Sequence, residues 1–309
     1  MFRLSRIDAL LLLMTIIWGT NYSIVKHAFR EIDPQAFNAA RMMMASAVFL
    51  VLIVGVRRVR TPGSVVYTPA PITTSDWLWL IGLGVVGHFL YQYLFIGGLA
   101  RTSVANSSLM LGATPVVIAL ITAALGHDRI SLLHWGGAAL SVVGIYVVVG
   151  AGAQLGGRHL TGDLMMAAAV FCWAVYTIAA RQLMERHSPV GVTGISMIVG
   201  SILYVLLFNA RIRATDWTAV SPATWFALAY SALFALCVAY TIWYAAVREI
   251  GSARTSVYSN LVPLVAMLTA IAFLGEPVVP TQLAGAAAVL IGVALTRVGR
   301  AQPIIPAEE

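Results

Sequence analysis

The chain has 309 residues, 60% of them hydrophobic and only 10% charged, with a mean hydropathy of +0.88 and a formal net charge of +7. Soluble domains carry about 25% charged residues, and one of this length has no means of hiding so much apolar surface, so the implied solvent is lipid. The charge does not point to nucleic acid: the basic residues are nearly all Arg, with Lys26 the only Lys, and they lie scattered between apolar runs rather than on one face.

In hydrocarbon every backbone polar group must be satisfied internally, by helices or a closed barrel. A barrel strand would alternate apolar and polar residues and be about half as long as these continuous runs. The apolar stretches predict ten helices, over 8–28, 36–56, 77–99, 104–125, 132–150, 163–183, 190–209, 223–246, 253–274 and 281–298, each close to the roughly 20 residues a span needs.

The first span imitates a signal peptide, with Arg3 and Arg6 ahead of the apolar run 10–17. That run continues into Trp18-Gly19-Thr20-Asn21 without a cleavage pattern, so it reads as an uncleaved helix. It carries Trp18, Asn21, Tyr22 and Ser23, and Lys26 near its end is expected to snorkel. In the second span Arg41 has two open readings, facing a cavity to neutralise a carboxylate or snorkelling to the interface. The connector 57–76 is rich in Pro, Thr and Arg. In the third span, Gly82-Leu83-Gly84-Val85-Val86-Gly87 spells a dinucleotide fingerprint without its strand–turn–helix context, and reads as a small-residue packing surface. His88, Gln92 and Phe95 share one α-helical face with Tyr91 beside them; His88 is either a substrate or proton ligand or an interhelical hydrogen-bond partner.

The fourth and ninth spans hold mid-span prolines. Pro115 and Pro263 free the carbonyls of Leu111 and Ser259, near Asn106, Ser107 and Ser108 in one span and Ser256, Ser259 and Asn260 in the other. These either contact substrate and flex as hinges or simply re-satisfy a kinked backbone. The glycine-rich segment 150–162 divides the chain. The sixth span brings Asp163, Trp173, Tyr176 and Thr177, and the eighth Tyr240, Thr241, Trp243 and Tyr244. Cys172 and Cys237 read as packing residues inside spans. The tenth span shows small residues at Ala284, Ala288 and Gly292, and the tail 301–309 is polar and expected to be loose.

A repeat organises these elements. An offset of 155 residues places Asp8 on Asp163, Trp18 on Trp173, Lys26 on Arg181, Pro34 on Pro189 and Ser46 on Ser201. An offset of 148 places Trp77 on Trp225, Phe95 on Trp243, Pro115 on Pro263, Asp128 on Glu276 and Gly144 on Gly292. The fold expected is therefore an all-α polytopic membrane protein with ten transmembrane helices in two five-helix repeats, 1–151 and 163–300, joined by 152–162. Five is odd, so the halves enter the membrane from opposite sides, which is a recurring secondary-transporter architecture. With the N-terminus inside, 12 of the 19 Lys and Arg fall on the cytoplasmic side, which favours cytoplasmic termini.

The residues resemble a known family. Gly162-Asp163-Leu164, then Phe171-Cys172-Trp173-Ala174-Val175-Tyr176 and Arg181, is similar to the start of the second repeat in EamA-type members of the drug/metabolite transporter superfamily. Trp18-Gly19 with Asn21, Pro34 seven residues before Arg41, and Leu274-Gly275-Glu276 followed by Gln282-Leu283 and Gly285-Ala286-Ala287 extend the match over 8–298. The resemblance implies a ten-helix inverted-repeat carrier that exports amino acids, related metabolites or drugs. Leu125-Gly126-His127-Asp128 departs from the pattern by an extra residue, which reads as loop variation.

The expected activity is transport of a small-molecule solute across a bacterial inner membrane, without cofactor, metal or nucleic-acid partner; the oligomeric state is left open. Because no Asp or Glu lies mid-span, a counter-ion for cationic drugs is missing, and neutral, zwitterionic or anionic solutes fit better. A membrane enzyme fits poorly, since no metal motif, Walker sequence or nucleophile–base set is present. A channel or non-transporting membrane protein is the remaining alternative. Trp77, Trp79, Trp217 and Trp225 are expected at the membrane interface. Trp18 and Trp173, deeper and repeat-related, either line a cavity or anchor.

Overall fold

The computed structural model describes residues 5–56, 65, 70–124, 128–129, 132–153, 157–250, 255, 258–259, 261–277, 279–298 and 302–303. Helix α1 (Arg6–Ala28) opens with a capping box in which Ser5 and Asp8 satisfy each other's backbone N–H groups. Helix α2 (Pro34–Val56) starts with Pro at the position whose N–H would be unpaired anyway, while Asp33 accepts from the N–H groups of Gln35 and Ala36. Helix α3 (Thr74–Leu99) contains a π-helical stretch over Gly84–Leu90. Helix α4 is broken at Ala113 into Val104–Gly112 and Thr114–Ala124. Then come α5 (Leu132–Ala153), α6 (Gly157–Met184) and α7 (Pro189–Ala214). Helix α8 (Pro222–Ile250) has its own π stretch over Ser231–Val238, and α9 (Val262–Leu274) and α10 (Pro280–Val298) follow.

Among the described residues six helices are long and apolar enough to cross a membrane, α1, α2, α3, α6, α7 and α8. Four shorter apolar stretches within α4, α5, α9 and α10 complete the ten. Large side chains such as Leu50, Val51, Tyr146, Leu206, Phe226 and Phe273 are exposed around the outside, an outward surface suited to lipid. Trp77, Trp79 and Trp225 are also exposed, whereas Trp217 is partly buried with its indole N–H on the Ile212 carbonyl.

The packing is the same when the halves are exchanged. Helix α1 packs on α8 and α9, as α6 packs on α3 and α4; α2 packs on α8, as α7 packs on α3. Three helices meet their own counterparts, α2 with α7, α4 with α9 and α5 with α10. At the α5–α10 contact the symmetry reaches single atoms. A Cβ on Gly144 would stand 2.8 Å from the Gly285 carbonyl oxygen, and one on Gly292 would stand 2.5 Å from that of Gly137. The offset of 148 exchanges these two contacts. The fold is thus two inverted five-helix repeats around an axis between α5 and α10. The two π stretches and the breaks at Ala113 and Leu261 also coincide under that offset.

The face where α1 begins is called proximal, and the opposite face distal. Tyr258 donates to Asp8 at the proximal face, while Asp33–Arg211 (2.8 Å) and Glu31–Ser221 (2.9 Å) join α1–α2 to α7–α8 at the distal face. The contacts from Ser221 hold the Glu31 carboxyl below the usual carboxylate range.

Several boundaries differ from expectation. Helix α6 begins at Gly157, so Asp163 is a buried residue of its second turn, accepting from Thr102 Oγ1 at 2.6 Å and from Asn106. The tail is tied at one point, where β2 (Gln302–Pro303) pairs antiparallel with β1 (Asp128–Arg129). On α10 the packing residues are Gly285, Val289 and Gly292, while Ala284 is exposed. In α3, Gly84 and Gly87 sit tight against α7 and Tyr176, but Gly82 faces open space. Cys172 and Cys237 are free thiols within the bundle.

The break in α4 has a local repair. Pro115 cannot donate to the Leu111 carbonyl, and the Thr114 hydroxyl does so instead at 2.6 Å. Thr114→Val should destabilise the protein by about 1 kcal/mol, seen as a lower thermal midpoint in detergent, while Thr114→Ser should match the parent.

Candidate functional site

A cavity lies in the middle of the bundle, with about 760 Å³ of space unfilled by protein atoms, part of it open to the outside. Its walls come from both halves: α1, α2, α3 and α4 from the first, and α6, α8 and the α9 entry from the second.

At its centre the repeat-related tryptophans meet edge to face, with ring centroids of Trp18 and Trp173 6.0 Å apart. Tyr240 and Trp243 of α8 close the cluster, 5.3 Å from Trp173 and 5.5 Å from Trp18 respectively, and Tyr91 of α3 packs 5.1 Å from Trp173. The Trp18 indole N–H donates to the Ala235 carbonyl in the π stretch of α8, at 3.1 Å. A π turn inserts an extra residue and rotates the remainder of the helix, and here it brings a main-chain acceptor and Ser231 toward the cavity.

Arg41 is the cationic group of the site. Its side chain is 1% exposed, so it does not snorkel. It reaches from α2 to donate to Ser231 Oγ at 2.8 Å and Gln92 Oε1 at 2.6 Å. Its Nε has no hydrogen-bond partner among the described residues, and the same holds for Asn21 Oδ1 and Trp243 Nε1. No Asp or Glu is among the described residues lining the cavity. A buried guanidinium held only by neutral groups is costly to keep unpaired, and so are donors and acceptors left empty. The arrangement can therefore receive an anionic group at Arg41, a hydrogen-bond donor at Asn21 and an apolar or cationic body against the aromatic faces.

Of the predicted site residues, Trp18, Asn21, Tyr22, Arg41, Tyr91, Gln92, Ser108, Pro115, Trp173, Tyr240, Trp243 and Ser259 line this cavity. Five do not. His88 is fully buried behind the wall, with Nε2 3.1 Å from the Tyr176 hydroxyl, so it is an interhelical partner. Tyr176 and Tyr244 pack on one another in the layer behind Trp173. Asn106 is held at the distal face by Asp163 and Gln282. Pro263 packs against Gly112 and not into the cavity. Ser256 and Asn260 lie outside the described residues. The reading from side-chain type missed Leu111, Gly112, Thr114, Ile118, Ala235, Leu236 and Val262. Most are apolar wall residues without a chemical signature; Thr114, beside Pro115, was the detectable one.

The described residues hold no cluster of three or more metal-ligating side chains. Ten apolar helices in two inverted repeats around a shared, mostly apolar cavity are those of a membrane transporter, and the comparisons agree. The EamA-like transporter family matches residues 5–150 and, separately, 160–298. The chain belongs to that family. It is 26% identical over 290 residues to the uncharacterized transporter YyaM of Bacillus subtilis, covering 92% of this chain and 91% of that one. It is 27% identical over 304 residues to a probable amino-acid metabolite efflux pump of Salmonella typhimurium, with 94% of each chain covered. It is 25% identical to a probable terminal-alkyne amino-acid exporter of Streptantibioticus cattleyicolor over 95% of this chain and 94% of that one. A crystal structure with 19% sequence identity superposes with a TM-score of 0.65, covering 96% of this chain and 99% of the other, and supports the fold.

Proposed function

We propose that the protein exports a small amino-acid-like carboxylate across the bacterial inner membrane by alternating access, with both termini in the cytoplasm. The two moving units are the repeats 1–151 and 163–300. The observation that carries this reading is Arg41, a buried guanidinium in a cavity without a lining carboxylate, with Nε unpaired. A substrate carboxylate supplies the missing charge, Asn21 Oδ1 accepts from an ammonium group, and Trp18, Trp173, Tyr240 and Trp243 cover the side chain. The names of the Salmonella and Streptantibioticus relatives, both concerned with amino acids, point the same way.

The test is reconstitution in liposomes with a panel of labelled amino acids and their amides. The expected result is saturable uptake and counterflow of a carboxylate-bearing solute, with Asn21→Ala raising KM for the amino acid and leaving its des-amino analogue unaffected. Ion conductance without counterflow, or equal transport of acids and amides, would overturn the reading.

A further inference from the structure

The two halves share their fold and most of their restraints, but one tie is present at only one face. At the distal face Lys26, near the end of α1, pairs with Glu276 after α9 at 3.0 Å. Lys26 also donates to the Thr102 carbonyl, and the second Glu276 oxygen accepts from the Val104 N–H at 2.9 Å. One ion pair thus binds α1, α9 and the start of α4 together.

The repeat specifies the corresponding pair at the other face. The offsets place Lys26 on Arg181 and Glu276 on Asp128. Arg181 lies near the proximal end of α6, and Asp128 stands in β1 after the proximal end of α4. Here Arg181 is exposed and pairs with no carboxylate among the described residues. The difference is not a general loss of symmetry. The repeat-related Asp8 and Asp163 both keep their ties, Asp8 to Tyr258 beside α9 and Asp163 to Thr102 beside α4.

The cavity lies between the two faces. Its lining on α4 runs from Ser108 to Ile118, toward the proximal end, and on the α9 side it comprises Ser259 and Val262, where that helix starts. On α1, α2 and α3 the lining comes from the distal halves, at Asn21, Tyr22, Arg41, Gln92 and Phe95, so the cavity sits mid-bundle between the two latch positions.

We infer that Lys26–Glu276 and Arg181–Asp128 are alternating latches of one carrier: the first closes the distal face in the state seen here, and the second closes the proximal face once the first has opened. This rests on the alternating-access reading. It adds that access is governed by two named ion pairs outside the substrate cavity, each made when the other is broken. A partly exposed pair contributes up to about 1 kcal/mol. That is enough to bias two states of similar energy and too little to trap either one.

The test uses the full-length protein in membranes, with Cys172 and Cys237 replaced by Ala and a single reporter from Ser108→Cys in the cavity. A membrane-impermeant thiol reagent is applied to intact cells and to inverted vesicles, and the ratio of labelling from the two faces is measured. Lys26→Gln and Glu276→Gln should raise distal labelling relative to proximal roughly two- to fivefold; Arg181→Gln and Asp128→Asn should shift the ratio the opposite way by a similar factor. The charge exchange Arg181→Asp with Asp128→Arg should restore the parental ratio. Glu276→Gln and Asp128→Asn keep side-chain shape, and monodisperse elution of all four variants separates a latch effect from misfolding. The proposal fails if the proximal variants leave the ratio unchanged or move it the same way as Lys26→Gln, or if the charge exchange restores nothing. Labelling from one face only, in the parent and in every variant, would instead overturn alternating access itself.

Discussion

Arg41→Met is expected to lower transport of a carboxylate substrate about a hundredfold while leaving the protein folded. Met fills much of the Arg41 volume and leaves no charge among the described residues that line the cavity. Gln92 Oε1 and Ser231 Oγ lose their donor, a modest cost because both can turn to the substrate or to water. The substrate carboxylate, by contrast, loses its only cationic partner among the described residues of the cavity lining. Truncating one partner of a buried charge pair costs about 2–5 kcal/mol, and each 1.4 kcal/mol is about tenfold in affinity, which brackets the hundredfold loss. Arg41→Lys should recover only part of it, because an ammonium group cannot reach Ser231, Gln92 and a carboxylate with one planar fork. The decisive measurement compares an amino acid with its amide in counterflow. The parent should prefer the acid strongly, and Arg41→Met should abolish the preference. If Arg41→Met transports the acid as well as the parent does, Arg41 is a packing residue and the substrate assignment is wrong.

The parts of this protein that are legible in the sequence are those that depend on solvent and repetition. Ten apolar stretches, an odd number in each half, and chemically similar residues at two constant offsets are enough to specify an inverted repeat. The offset also relates Trp18 to Trp173, but that they meet, and line a cavity instead of anchoring at the interface, is decided only by the placement of the helices. Helix rotation is not legible. His88, Gln92 and Phe95 share a face only if the helix keeps 3.6 residues per turn, and the π stretch over Gly84–Leu90 breaks that register. His88 therefore turns to Tyr176, while Tyr91, Gln92 and Phe95 stay on the cavity. Arg41 has two readings in the sequence for the same reason: only the position of α8 and its Ser231 decides between interface and cavity. Lys26 is expected to snorkel and instead pairs with Glu276. The repeat offsets contain both residues, but a contact so distant in sequence leaves no local pattern.

Gly292→Leu is expected to prevent the bundle from assembling, and Gly144→Leu to do the same to a similar degree. A Cβ on Gly292 would lie 2.5 Å from the Gly137 carbonyl oxygen and 2.7 Å from the Ser141 backbone nitrogen, and one on Gly144 would lie 2.8 Å from the Gly285 carbonyl oxygen and the Val289 nitrogen. In both cases the obstacle is backbone, which cannot step aside as a side chain can. In lipid, helices associate through close packing and not through exclusion of water, so separating α5 from α10 removes most of what holds them together. Overpacking costs about 1–3 kcal/mol where neighbours can adjust, and more is expected where main chain opposes main chain. Loss of the monodisperse peak in detergent, with equal loss for the two variants, is the predicted outcome. Gly82→Leu is the control: beyond its own helical turn, no atom of the described residues lies within 4 Å of its Cβ position, and it should express and elute like the parent. Normal folding of Gly292→Leu would mean that α5 and α10 do not touch along this line. A large difference between Gly292→Leu and Gly144→Leu would mean that the contact is not the symmetric one on which the inverted-repeat mechanism depends.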